Sequence, residues 1–193
     1  MPFSITPSFI DIFKIGDNIN FNLEVLKVLY EGYRKLPDGQ KLTKPIVIIN
    51  ISIVEAILYD FIENRIKRAN RTEILFSEIL AAFQNKRFDK FEHYITQAQK
   101  YNLFDLKDTN LYEAMHILRK KRNRVHIQNS KWEDPRDERD IFDERSKILS
   151  ERVLEKILDV MVSKYPRRAE YHGYVKDFEL PWEKHLVNQT ITK

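Results

Sequence analysis

The chain has 193 residues, of which 42% are hydrophobic and 32% are charged, and its formal net charge at pH 7 is +4. This length suits one compact domain with a buried core, and this composition excludes a disordered protein. Because the sequence contains no cysteine, it excludes disulfides, thiolate metal sites and a cysteine nucleophile. Its four glycines are too few for a turn-rich β fold or for the glycine-rich phosphate loops of nucleotide-binding enzymes.

The sequence contains no clear targeting or membrane segment. The first 20 residues mix proline and charged residues with apolar ones and lack the apolar core of a signal peptide. The most apolar stretch, residues 46–62, is interrupted by polar and acidic side chains, whereas a membrane span needs about 20 nearly uninterrupted apolar residues. We therefore expect a cytoplasmic protein without membrane contact, in which this stretch belongs to the core.

Apolar residues at helical spacing predict two helices in the first third of the chain. The first covers 22–35 and is stopped by the turn-forming residues of 37–39. The second opens near Pro45 and continues to about residue 68. Its β-branched run, 46–54, would also suit a strand, but the helical period continues beyond normal strand length, so a helix is favoured.

Further helices are predicted at about 72–83, 90–100, 111–127 and 138–164. A capping-box pattern of asparagine and glutamate opens the third of these, and a proline ends the last. The fold class is therefore all-α. We expect a helical domain over residues 1–165 and a tail over 166–193 that packs on it.

The most informative segment is the basic run 119–124, in which five of six residues are cationic. On the predicted helix, four polar residues at i, i+3, i+4 and i+7 share one stripe beside an apolar seam: Arg119, Arg122, Asn123 and His126. Such a group suits cleavage of an RNA phosphodiester, because imidazole transfers protons near neutral pH and guanidinium groups stabilise charge on phosphate. A lone histidine in a basic helix is more often incidental, but the converging arginines favour the chemical interpretation.

The remaining cations of this run, Lys120, Lys121 and Arg124, are candidates for RNA binding. One helix supplies one histidine, whereas chemistry at phosphate usually needs a second acid or base. A symmetric dimer would supply it. Glu55 lies inside the apolar second helix, where an acidic side chain is costly unless paired. It either forms a structural pair with a basic residue or orients an arginine or His126.

The spacing from Arg119 to His126, with the Arg122-Asn123 dipeptide between them, is similar to the Arg-x4–6-His signature of HEPN domains. Six residues separate Arg119 from His126, and three separate Arg122 from it. The resemblance covers about residues 22–164. It implies an up-and-down helical bundle that acts as a homodimeric, metal-independent endoribonuclease without a cofactor.

By the same resemblance, Arg122 and His126 are the main catalytic pair, and Arg119 and Asn123 support them. The biological setting implied is a toxin–antitoxin or phage-defence system, with an antitoxin or another defence protein as partner. Two alternatives stay open. One is a non-catalytic HEPN module that binds RNA or nucleotide within a larger complex. The other is a structural helical protein whose basic run is only a solvated helix face.

Overall fold

The computed structural model describes residues 2–68, 79, 83, 86, 88–104, 110–125 and 137–185. Within them the fold is an α-helical bundle with one small two-stranded sheet, which confirms the predicted all-α class. Its elements are β1 (Phe3–Ile5), α1 (Phe13–Lys35), a 3-10 turn (Gly39–Leu42), α2 (Thr43–Tyr59), a π-helical segment (Asp60–Ile66), α3 (Phe91–Lys100), α4 (Asn110–Arg122), a 3-10 turn (Asn123–Val125), α5 (Glu138–Ile141), α6 (Glu144–Lys164), a 3-10 turn (Ala169–Tyr171) and β2 (Phe178–Leu180).

The central element of the bundle is α2, which packs on α1, α3, α4 and α6. A short turn joins α1 to α2, so these two helices run antiparallel. In contrast, α2 and α6 run in the same direction. Asn50 donates to Ser150 Oγ at 3.0 Å, and just beyond the C-terminal ends of both helices Arg65 donates to the carbonyl of Tyr165.

The apolar second helix is buried, as the sequence predicts. The helix interpretation of 46–54 is confirmed, and these residues of α2 and the π-helical segment are fully or almost fully buried: Ile46, Val47, Ile51, Val54, Ile57, Leu58, Phe61 and Ile62. By length and composition alone, Gly39–Ile66 could also cross a membrane. Most of this segment is buried inside the protein, as a core helix would be.

The first helix begins at Phe13, well before the predicted start at residue 22. Its start is fixed from a distance, because the Asp60 carboxylate accepts hydrogen bonds from the backbone N–H groups of Asp11 at 2.6 Å and Ile12 at 3.2 Å. Because these acceptors belong to a residue far away in the sequence, no local pattern predicts where α1 begins. Burial raises the pKa of Asp60.

The predicted single helix 138–164 is wrong, because it is two helices, α5 and α6, with a break between them. Each begins at its own aspartate cap. The Asp137 carboxylate accepts from Arg139 N at 2.8 Å, and that of Asp143 accepts from Ser146 N at 2.8 Å. The helix predicted at 90–100 is confirmed as α3. The one predicted at 72–83 lies outside the described residues except at isolated positions.

The C-terminal segment, residues 166–185, packs against the N-terminal strand β1 and against α1. β2 pairs antiparallel with β1, with Phe3 opposite Leu180. Phe178, Leu180 and Trp182 are buried. Two strands of three residues are too short to predict from alternation alone.

Candidate functional site

The α-helix that carries the basic run ends earlier than its spacing predicts. α4 stops at Arg122 and continues as the 3-10 turn Asn123–Val125, in which Arg124 adopts φ −80° and ψ 15°. The prediction of an α-helix throughout 111–127 is therefore wrong at its C-terminal end. The turn begins with an asparagine, whose side chain competes with helical hydrogen bonds. His126 lies outside the described residues.

Arg122 points from α4 toward α2 and α3. Its Nη2 atom donates to Glu55 Oε2 at 2.5 Å, and the two side chains are 27% and 29% exposed. The guanidinium also lies over the ring of Phe91, 5.7 Å from its centroid. Glu55 on the core helix thus holds an arginine of the basic run, and Phe91 supports the flat face of that arginine.

Arg119 lies one turn earlier and reaches the same helix, α3. Its Nη1 atom is 3.0 Å from Glu92 Oε2, and its side chain is only 14% exposed. Phe91 and Glu92 open α3, so both arginines lie beside the first turn of this helix. The side chain of Lys90, at the cap position, forms no capping hydrogen bond with that turn. The N-terminal end of a helix carries partial positive charge and attracts anions.

Both arginines have a donor that no described residue accepts from. Among the described residues, the Nε atoms of Arg119 and Arg122 are buried and have no hydrogen-bond partner. An arginine has five N–H donors. Because the Nε atoms are buried, an external acceptor such as a phosphate oxygen would have to be bound by the N–H groups of the Nη atoms of these partly exposed side chains.

His116 belongs to the same environment, although the sequence analysis did not select it. It precedes Arg119 by one helical turn and is about half buried. Burial, and then the positive charge of Arg119, lower the pKa of His116, which favours the neutral imidazole. Its i, i+3 spacing to Arg119 is a signal that could have found it. Glu92 has no comparable local signal.

The other predicted residues do not share one surface. Lys120 and Asn123 are exposed, whereas Arg124 is 7% exposed and counts as buried. Lys121 points toward α6, where its Nζ donates to the carbonyl of Ile141 at 2.8 Å and to Ser146 Oγ. Burial lowers the pKa of Lys121. Of the three predicted RNA-binding cations, Lys120 is therefore the one that reaches solvent freely.

A second cluster of titratable groups lines a cavity of about 520 Å³ between α1, α6 and the C-terminal segment. Its centre is Glu151, whose side chain is 3% exposed. Glu151 accepts from Tyr30 Oη at 2.5 Å and pairs with Lys147 at 3.1 Å and with His185 at 2.9 Å. Burial, and then the charge of Glu151, raise the pKa of Tyr30.

One turn further along α6, Glu155 holds the C-terminal segment. It accepts from Trp182 Nε1 at 2.6 Å and from the backbone N–H of His185 at 3.1 Å. Burial raises the pKa of Glu155. The groups of this cluster satisfy one another, so the cluster anchors the C-terminal segment to the bundle.

Comparison with models of known protein families, with characterised proteins and with solved structures finds no match to this chain. Within the part of the chain that the structure describes, no group of three or more histidine, aspartate or glutamate side chains is arranged to hold a metal ion.

Proposed function

We propose that the chain is a metal-independent endoribonuclease of the HEPN type, that it acts as a homodimer, and that it serves in a toxin–antitoxin or phage-defence system. The observation that carries this proposal is the pair of arginines, Arg119 and Arg122, beside the first turn of α3. Two partly exposed guanidinium groups beside the N-terminal end of a helix favour a bound phosphate.

The proposed reaction is an internal transfer at phosphorus. The 2′-oxygen of the RNA loses its proton to a base and attacks the adjacent phosphorus, and the 5′-oxygen leaves with a proton from an acid. The products are a 2′,3′-cyclic phosphate and a free 5′-hydroxyl. His126 would carry one of these protons, and Arg122 would stabilise the charge that develops on the phosphate oxygens.

The second proton carrier has two sources in this proposal. In a two-fold dimer, His126 of a second copy would supply it. Within one chain, the candidate is His116 beside Arg119, because burial and that positive charge lower its pKa and so favour an imidazole that accepts a proton. Lys120, which is exposed, would contact the RNA backbone outside the cleavage point.

A second candidate function is a non-catalytic HEPN module that binds RNA or nucleotide. The ion pairs favour it, because Glu55 and Glu92 offset the charges of the two arginines. A phosphate would then be held by the remaining donors without turnover.

The experiment is cleavage of single-stranded RNA by the purified chain in EDTA, compared with His126→Ala. We expect the wild type to release cyclic-phosphate ends and the variant to lose activity by roughly 100-fold or more while keeping its circular dichroism spectrum. The matched control is His172→Ala, because His172 is exposed and its ring lies 2.9 Å from the carbonyl oxygen of Arg167, away from α4.

Cleavage that survives His126→Ala would rule out the catalytic proposal. Salt-sensitive RNA binding without products would instead support the non-catalytic module. The mass of the wild type in solution tests the dimer, and a monomer with full activity would remove that part of the proposal.

A further inference from the structure

A cavity of about 350 Å³, the α4–α6 cavity, lies between α4 and the N-terminal part of α6. Its lining combines apolar and polar side chains: Ile117, Lys121, Asp143, Arg145, Ser146, Ile148, Leu149 and Arg152. The volume lies at the lower end of the range for small-molecule sites, about 300 to 1,000 Å³. At about 30 Å³ per water molecule it corresponds to roughly a dozen waters, which suits an organic molecule of about ten to fifteen non-hydrogen atoms.

The apolar side of this cavity is not part of the closed core. Ile117 on α4 and Ile148 and Leu149 on α6 are each partly exposed. Covering apolar surface that remains in water lowers the free energy. This side can therefore bind the apolar part of a ligand, as the walls of small-molecule sites commonly do.

Lys121 places an ammonium group on the polar side of the cavity. Its Nζ donates to the carbonyl of Ile141 at 2.8 Å and to Ser146 Oγ. An ammonium group has three N–H donors, so these two neutral acceptors leave one for a ligand. Burial lowers the pKa of Lys121 more than the charge of Asp143 raises it. A bound anion would offset this cost of burying the charge, because an opposite charge nearby favours the ammonium form.

Cations outnumber carboxylates in the lining. Three positive charges and one negative charge give it a net charge of +2: Lys121, Arg145 and Arg152 against Asp143. The Asp143 carboxylate already accepts from Ser146 N at 2.8 Å and from Ser146 Oγ at 2.6 Å, where it caps α6. Arg145 is exposed, so its guanidinium group meets solvent at the cavity. The lining therefore favours an anion.

The acidic side chains nearest to the lining do not reverse this excess. Along α4, α5 and α6, two further acids are matched in number by two bases: Glu113 and Asp140, and Arg139 and Lys156. Glu144 and Glu151 pair with Lys147 at 3.0 Å and 3.1 Å, and they line the other cavity.

We infer that the α4–α6 cavity binds a small amphipathic anion, namely a carboxylate or a phosphate monoester attached to an apolar chain. The anionic group would accept hydrogen bonds from Lys121 and Arg145, and the apolar chain would cover Ile117 and Leu149. A few placed polar groups would orient the ligand, and the apolar side would hold its body.

This site is separate from the proposed nuclease site. Lys121 and Arg122 are neighbours on α4, but they point in different directions. Lys121 points toward α6, whereas Arg122 contacts Glu55 on α2 and Phe91 on α3. Binding at the cavity is measured without RNA, so its result does not depend on whether the chain cleaves RNA.

The test is isothermal titration calorimetry of the full chain with octanoate, octyl phosphate, octylamine and acetate. We expect binding of octanoate, octyl phosphate or both, and the tighter of the two identifies the anionic group. Octylamine should bind at least about tenfold more weakly than that probe, because the lining repels its charge. Acetate should also bind at least about tenfold more weakly, because it lacks the apolar chain.

Arg145→Glu tests the charge of the lining at an exposed position. The tighter anionic probe should bind about tenfold more weakly to this variant, because a repulsive charge replaces an attractive one. Its preference over octylamine should disappear. The matched control is Arg168→Glu, which makes the same change in net charge at a side chain that is 84% exposed in the C-terminal segment. This control should leave binding unchanged.

Leu149→Trp tests the apolar side. The larger side chain should occupy the cavity and abolish binding of the tighter anionic probe. The matched control is Leu36→Trp, because Leu36 is 57% exposed at the end of α1. Circular dichroism checks that each variant folds. If Leu149→Trp does not fold, Arg145→Glu decides the question.

Four results would overturn the inference. The first is the absence of binding of both anionic probes at about 1 mM. The second is binding of octylamine as tight as that of the anions. The third is equally tight binding of acetate, which would mean a simple anion contact. The fourth is unchanged binding by the folded Arg145→Glu variant, which would place the anion elsewhere.

Discussion

Two regions of this molecule hold buried charge, and they hold it differently. Around Glu151, every partner contributes to a shared network. The carboxylate is met by the Tyr30 hydroxyl, the Lys147 ammonium and the His185 imidazole. Beside α3, Arg119 and Arg122 each meet one carboxylate, and their Nε atoms stay without a partner among the described residues.

The difference separates a structural role from a functional one. A buried polar group is costly unless its hydrogen bonds are satisfied, so a satisfied network mainly holds the fold. A partly exposed arginine that pairs with a single carboxylate keeps other N–H groups for an external acceptor. The cluster around Glu151 therefore belongs to the first class, and under the proposed function the arginines beside α3 belong to the second.

The largest expected effect is on stability, from Glu151→Ala. Removing one member of a buried charged cluster leaves the others uncompensated, which typically costs about 3 to 5 kcal/mol. Urea unfolding should show this loss. The control is Glu170→Ala, whose exposed contact with Arg168 at 4.0 Å should contribute less than about 1 kcal/mol. Equal stability of the two variants would break the comparison.

The next effect is on activity, from Arg122→Ala. Loss of a donor aimed at developing negative charge typically lowers the rate by about 100-fold to 1000-fold. Because the pair with Glu55 is partly exposed, stability should fall by about 1 kcal/mol or less. Cleavage rate and urea unfolding are measured on the same preparations. Arg168→Ala, at a side chain that is 84% exposed, is the control. An unstable but fully active Arg122→Ala would place this arginine with the structural network.

Some of these features can be predicted from the sequence, and others cannot. The core helix can be predicted because its apolar period is long. A partner for Glu55 can also be predicted, because an acidic side chain inside such a helix is costly unless it is paired. The convergence of Arg119 and Arg122 on α3 depends on how α3 packs against α4, which no local pattern records. The network around Glu151 joins three segments distant in sequence.

The helix ends show the same limit. Asp60 caps α1 from another helix, so the true start at Phe13 has no adjacent signal. The break between α5 and α6 does have a local signal, the cap residue Asp143. This signal is hard to recognise because charged residues continue through the break. The α-helix ends at Arg122. Lys121, just before this end, donates to the carbonyl of Ile141 before α6, whereas Asn123, just after it, is exposed.

A smaller effect is expected from Glu92→Gln. This change removes the charge that holds Arg119 but keeps an amide oxygen in reach. Because Glu92 is 50% exposed, the pair contributes little to stability. The pair with Glu92 orients Arg119, so the cleavage rate should fall by roughly fivefold, which corresponds to about 1 kcal/mol in activation free energy. Glu179→Gln, at an exposed position of β2, is the control. If the rate rises instead, Glu92 holds Arg119 away from the phosphate and does not orient it toward the reaction.

The smallest effect concerns pH and Glu155. Burial raises the pKa of this carboxyl in the folded protein, so folding favours its protonated form. Its contribution to stability is therefore fully present below the unfolded pKa, about 4.3, and is lost as pH rises through the folded value. Glu155→Gln stays neutral and still offers an oxygen to Trp182 Nε1 and to the backbone N–H of His185.

The measurement is urea unfolding of wild type and Glu155→Gln at a series of pH values. We expect the stability of the variant relative to the wild type to increase as pH rises from 4 toward neutrality, because only the wild type gains a charge that burial disfavours. A difference that stays flat would mean that Glu155 ionises without cost. His185 would then balance both Glu151 and Glu155, from which its Nε2 is 2.9 Å and 3.9 Å distant. In that case the charges of the cluster around Glu151 and Glu155 would be fully compensated by their partners. The cluster would then differ still more from the arginines beside α3, each of which meets a single carboxylate.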